Sequence, residues 1–149
     1  SKAGRQTRRA DVLAAIEYVG LHAPDAKVGT LNARDRRLVE LARAVVGRPR
    51  VVLLDEPAAG LPDEETEHMG QVIKGIPERF GALVILVDHD MSLVSHCCTT
   101  TAVLDFGKLI ASGETADVLR DPQVIAAYLG TEELGAEEES AENLGMEAV

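Results

Sequence analysis

Three observations in the sequence predict an α/β fold with a parallel sheet, flanking helices and a hairpin toward the carboxyl end. Two short aliphatic runs, "RPRVVLLDE" and "ALVILVD", lack polar alternation, which suits strands buried on both faces. Between them, "PDEETEHMGQVIKGI" repeats its apolar residues at helical spacing. Strand, helix and strand in this order make a right-handed crossover and a parallel pair. Further on, "TTAVLDFGKLIASG" reads as a hairpin turning at Phe106, Gly107 and Lys108.

Residues 7 to 20, "TRRADVLAAIEYVG", place Val12, Ile16 and Val19 on one helical stripe, with Gly20 as the stop. A loop, "LHAPDAKVGT", follows. In "LNARDRRLVELARAVVG", Leu38, Leu41, Ala42 and Val45 keep the 3,4,7 spacing and Gly47 is the expected end. Asn32 is the expected N-cap, and Asp35 is its capping-box partner. The crossover helix opens with acids that suit a positive N-terminus, and Met69, Val72, Ile73 and Ile76 form its core stripe. A short helix is expected near "MSLVSHCC", and two more around "TADVLRD" and "PQVIAAYLG".

At 149 residues the chain is long enough for one domain with a core. Aromatic residues make up 3% of it, so aliphatic packing must dominate. No apolar run approaches the roughly 20 residues a membrane-spanning helix needs. The start, "SKAGRQTRRA", is basic without a secretory pattern, and Ser1 in place of Met points to a cut or tagged chain. Cys97 and Cys98 are adjacent, which suits neither a disulfide framework nor spaced metal ligands; they are expected to be reduced, partly buried thiols of a cytosolic protein.

The net charge of −10 is unevenly spread. Residues 1–50 carry 11 Lys/Arg against 5 Asp/Glu, residues 51–130 carry 4 against 13, and residues 131–149 carry none against 7. The last stretch, "TEELGAEEESAENLGMEAV", is expected to be a solvated, disordered tail. So acidic a chain is a poor nucleic-acid binder, and no nucleic-acid partner is expected.

Chemistry concentrates at the strand ends, where open parallel sheets collect ligands. Asp55 and Glu56 end one strand; Asp88, His89 and Asp90 end the next. Phosphoryl transfer to water needs such groups: an aspartate holding magnesium through water, a carboxylate that aligns and deprotonates the attacking water, and a histidine that orients it. Asp55, Glu56 and His89 fit these roles in that order. His22, His68 and His96 have no partners at metal spacing and read as surface or packing residues. "RDRR", residues 34–37, reads as a solvated face.

On these residues the chain resembles ABC transporter ATPases, members of the P-loop NTPases. "LNARDRRLVELARAVVGRPRVVLLDEPAAGL" is similar to their stretch from signature helix to Walker B, and "LVDHDM" to their switch-histidine loop. The ending "VLDFGKLIASGETADVLRDPQVIAAYLG" is similar, more narrowly, to the ATP-binding subunits of branched-chain amino acid importers. The resemblance covers about residues 8 to 130. It implies that Asp55 is the magnesium-linked aspartate, Glu56 the catalytic base and His89 the switch histidine. It further implies that Ala59, Gly60 and Leu61 face an opposite subunit, and that Leu31, Asn32, Ala33, Arg34 and Asp35 form the signature that reaches the partner's ATP.

A phosphate loop needs G-x-x-x-x-G-K-[ST], whose backbone donors wrap the phosphates. The only Gly-Lys pair is Gly107-Lys108, with Ala102 where the first glycine would stand and Leu109 where Ser or Thr would. The family's glutamine loop is missing too, so the chain looks like the carboxyl-terminal part of a longer ATPase domain. Residues 1–48 would be a remnant of its helical subdomain with the signature helix. Residues 49–130 would be the RecA-like part, and 131–149 the tail. The signature departs from the family pattern, with Asn32 in place of Ser and Arg34 in place of Gly. Glycine there lets backbone approach phosphate closely; Arg34 either supplies charge or blocks the site, and weakened function is the expectation. Pro62, where the family usually has a polar residue, departs as well.

The resemblance implies ATP and Mg2+ in the intact parent, a second ATPase subunit in a homo- or heterodimer, and a membrane permease that holds the protein peripherally on the inner face of the cell membrane. The fragment alone is expected to be inactive and to self-associate. Two other classes compete. A DNA-maintenance head would need a long heptad arm before the signature, which nothing before residue 31 supplies. A non-catalytic dimerisation or regulatory module is favoured by Asn32 and Arg34 and disfavoured by Asp55, Glu56 and His89.

Overall fold

The computed structural model describes residues 2–22 and 25–128, with side chains from residue 8 onward. The expected acidic tail lies outside the described residues, as do Leu129 and Gly130 of the last predicted helix. The chain forms two compact units, one ending at Cys98 and one beginning at Thr99.

The first unit contains α1 (Lys2–Tyr18), α2 (Ala33–Val45), β1 (Val51–Asp55), α3 (Asp63–Phe80), β2 (Leu83–Val87) and α4 (Met91–Cys97). Helix α1 starts earlier than the predicted stretch and buries Ala15, and Val19, just past its end, is buried as well. Val12, expected on its core stripe, is 43% exposed, because it borders an open cavity of about 420 Å3 between α1 and α2. On α2 the four predicted core residues, Leu38, Leu41, Ala42 and Val45, are all buried. Asn32 caps this helix, its Oδ1 accepting from the Asp35 backbone N–H at 2.7 Å. Gly47 does not supply the left-handed residue after the helix; Arg48 does, at φ 48°.

The first turn of α3 carries Asp63, Glu64 and Glu65, where the helix dipole favours negative charge. Its predicted stripe, Met69, Val72, Ile73 and Ile76, is buried. Gly81, left-handed at φ 68°, ends it by donating its N–H to the Pro77 carbonyl. Tyr18 fastens α1 to α3. Its hydroxyl donates to the Val72 carbonyl at 2.6 Å, and its ring meets Phe80 edge-on, with centroids 4.9 Å apart. Burial pushes the Tyr18 hydroxyl above its ordinary pKa. A Cβ on Gly75 would stand 2.6 Å from that hydroxyl, so this contact favours glycine within the helix.

Strands β1 and β2 pair in parallel, Val51 opposite Leu83 through Asp55 opposite Val87. Both were expected to be buried on both faces, and the structure corrects this. Side chains alternate across a strand, so Val52, Leu54, Val84 and Leu86 turn toward the helical core while Val51, Leu53, Leu83, Ile85 and Val87 stand exposed. The described helices of this unit leave that second face bare, although both faces are equally aliphatic.

The second unit is the predicted hairpin, β3 (Thr100–Asp105) and β4 (Lys108–Glu114), followed by α5 (Thr115–Val118) and a helical segment over residues 122–128. Phe106 and Gly107 take φ 43° and 76°, as a two-residue primed turn requires. The ladder shifts register between Val103 and Leu104. The Thr101 and Thr115 hydroxyls bond at 2.8 Å, and Val118 and Val124 are buried.

Candidate functional site at the carboxyl end of the parallel pair

Asp55 and Val87 are opposite each other at the end of the ladder. The pairing runs one bond further, because the Glu56 N–H donates to the Val87 carbonyl at 2.9 Å. Glu56 itself is left-handed at φ 44°, a conformation costing a non-glycine residue on the order of 1–3 kcal/mol. Pro57 follows it and disfavours the right-handed helical region for the residue before it. The chain then turns tightly. Ala59 donates to the Glu56 carbonyl at 3.1 Å, Leu61 donates to the Ala58 carbonyl at 3.0 Å, and Gly60 sits at φ 77°.

Beyond β2, three polar residues take three different tasks. The Asp88 side chain is buried, 5% exposed, and its Oδ1 accepts from the Asp90 N–H at 3.0 Å. Asp90 caps α4, its Oδ1 accepting from the N–H groups of Ser92 and Leu93. His89, held between them, projects outward with 79% of its side chain exposed. Its Nδ1 lies 3.2 Å from Glu56 Oε1 and 3.8 Å from Asp88 Oδ1.

The structure therefore brings Asp55, Glu56 and His89 to one end of one sheet, with a direct contact between carboxylate and imidazole. Such a pair can take a proton from water and hold the water's orientation. Among the described residues, no group of three or more His, Cys, Asp or Glu is placed to enclose a metal ion. The exposed Asp55 is suited to hold a hydrated cation through water.

The other expected site residues stand elsewhere. Asn32, Ala33, Arg34 and Asp35 open α2, and Arg34 lines the cavity against α1 with its Nε buried and unpartnered. Ala59 and Gly60 are exposed in the turn after Glu56, while Leu61 packs against the core. Gly107-Lys108 forms the hairpin turn and the first residue of β4, not a phosphate cradle. His96 Nε2 lies 3.9 Å from Glu67, and the Nε2 of His68 is buried without a partner.

Two features escaped the sequence. Asp88 is a buried carboxylate beside His89, and its Oδ2 has no partner. Glu56 is held by a left-handed backbone. The Glu-Pro step and the spacing of Asp88 and Asp90 were the available signals.

Known proteins resemble this chain over much of its length. The family described as branched-chain amino acid ATP-binding cassette transporter matches residues 108–133. The high-affinity branched-chain amino acid transport ATP-binding protein LivG of Escherichia coli K12 is 35% identical over 117 residues, 77% of this chain and 46% of LivG. BraF of Pseudomonas aeruginosa, with the same description, is 38% identical over 102 residues, 68% of this chain and 40% of BraF. The crystal structure of the ADP conformation of MJ1267, an ATP-binding cassette of an ABC transporter, matches with a TM-score of 0.73 at 26% identity, covering 83% of this chain and 50% of that one. The chain spans about half the length of the relatives it matches.

Proposed function

The chain is related to the ATP-binding subunits of ABC transporters and has the fold of their carboxyl-terminal part, and on that premise we propose that it is the water-activating part of an importer ATPase, of the branched-chain amino acid type. The observation that carries this is the 3.2 Å contact of His89 with Glu56 at the ends of adjacent parallel strands. Glu56 accepts the proton of the attacking water, and His89 holds that water and the terminal phosphate in line. Asp55 would hold magnesium through water, where the ion would supply charge that offsets that of the phosphates. The phosphate cradle must come from outside these 149 residues. Asn32 to Asp35 would address the ATP of a second ATPase subunit, with Ala59, Gly60 and Leu61 facing that partner. The assembly would sit on the cytoplasmic side of a permease; no helix among the described residues is long and apolar enough to cross a membrane.

Arg34 favours a second reading, a non-catalytic dimerisation module, because its side chain turns into the cavity against α1 where the family has glycine. One experiment separates the two. In the intact cassette, Glu56→Gln should lower ATP turnover by roughly 100-fold or more while nucleotide binding persists. Turnover unchanged by that substitution, or already absent beforehand, removes the catalytic reading. Titration calorimetry of the 149-residue chain alone should detect no micromolar ATP binding; a measurable isotherm would contradict the need for an outside phosphate loop.

A further inference from the structure

Cys97 and Cys98 take no part in the chemistry at the sheet end, and both are free and half-buried. Consecutive helical residues point about 100° apart and do not face each other. Cys97 closes α4, but Cys98 is its C-cap with φ −101° and ψ 136°, an extended conformation. The two Sγ atoms nonetheless lie 4.0 Å apart. Cys97 is fixed in place by donating to the Leu93 carbonyl at 3.0 Å.

Adjacent residues have Cα atoms about 3.8 Å apart, below the roughly 4.4–6.8 Å usual for a disulfide, so closing this pair on itself would be strained. One soft atom bonded to both sulfurs at about 2.3 Å, the length of a zinc–thiolate bond, spans up to about 4.6 Å. At the observed 4.0 Å the angle at that atom would be about 120°; a pyramidal trivalent atom, with an angle of about 100°, needs the two sulfurs drawn in to about 3.5 Å, a small side-chain rotation away. The geometry points to Cys97 and Cys98 as a dithiol clamp for a trivalent arsenical.

A divalent cation fits less well. Burial pushes the Cys97 thiol up to about 12, and Cys98 and the Asp88 carboxylate act in the same direction. A cation must expel both thiol protons into solvent, which a raised pKa opposes at neutral pH. No third ligand among the described residues completes a metal set. The arsenical needs neither. In R–As=O plus two thiols, two As–S bonds form and the arsenic–oxygen bond breaks. The two thiol protons leave with the oxygen as water, and arsenic stays trivalent, so no oxidant is required.

The test uses phenylarsine oxide on the full 149-residue chain. Intact mass should show one phenylarsenic unit per chain, with both thiols lost together to Ellman titration. Because the second bond is intramolecular, the adduct should resist roughly 100-fold more monothiol than a singly bonded one, and should be released by a dithiol. Cys97→Ser and Cys98→Ser, checked for folding by circular dichroism, should each lose that resistance. Release of the wild-type adduct by monothiol as readily as by dithiol overturns the clamp, whatever the variants do. So does a mass corresponding to two chains bridged by arsenic.

Discussion

Val52 and Leu53 are consecutive aliphatic residues of β1, yet one is 3% exposed and the other 73%. The same division runs along β2, so the two faces of one sheet are alike in composition and opposite in environment. The covered face adjoins the cluster of Leu38, Met69, Ile76 and Leu93, while the bare face presents five aliphatic side chains in a row across two strands. A contiguous exposed apolar patch marks an interaction surface. The chain covers about half of its relatives' length; on the proposed reading, the rest of the cassette would cover this face. Burial here is thus a property of what lies opposite a residue, not of the residue.

The contrast predicts a wide spread of mutational effects. Removing core volume should cost most. Leu38→Ala or Ile76→Ala should destabilise the fold by about 2–5 kcal/mol in urea titration, whereas Leu53→Ala on the bare face should change stability by less than about 0.5 kcal/mol. Equal costs at Leu38 and Leu53 would mean that the second face is buried in solution, by self-association or rearrangement.

Association is the next measure. Wild-type chain should show a mass that rises with concentration in light scattering, driven by the bare face. Leu53→Glu with Ile85→Glu should return it to monomer without loss of helical signal. A wild-type chain that stays monomeric at high concentration would remove the sticky-face interpretation.

The smallest effect should come from the covered side. Tyr18→Phe deletes the bond to the Val72 carbonyl while keeping the ring on Phe80, and should cost about 1 kcal/mol. A neutral result would show that packing alone joins α1 to α3.

Helix positions and types were legible because the 3.6-residue period survives any tertiary context. The stripe of α3 and the four core residues of α2 were read in full, and the turn at Phe106-Gly107 followed from its dipeptide. Val12 was misplaced because periodicity says which face a residue shares, not whether a neighbour fills the space beside it. The site was partly legible. Strand-end acids and a histidine one crossover later could be named, but the roles of Asp88 and Asp90 as turn and cap could not be separated from that of His89 by spacing alone.

The sequence by itself determined the order of elements, the parallel crossover, the hairpin and the chemical types gathered at the strand ends, since these depend on local periodicity and turn chemistry. Only the tertiary structure decided which face of the sheet is bare, that Glu56 leaves the strand left-handed, and that its carboxylate meets His89 across a gap of 33 positions in sequence. Those outcomes depend on what each side chain finds opposite it once distant segments meet, and a uniformly aliphatic strand carries no mark of which side that will be.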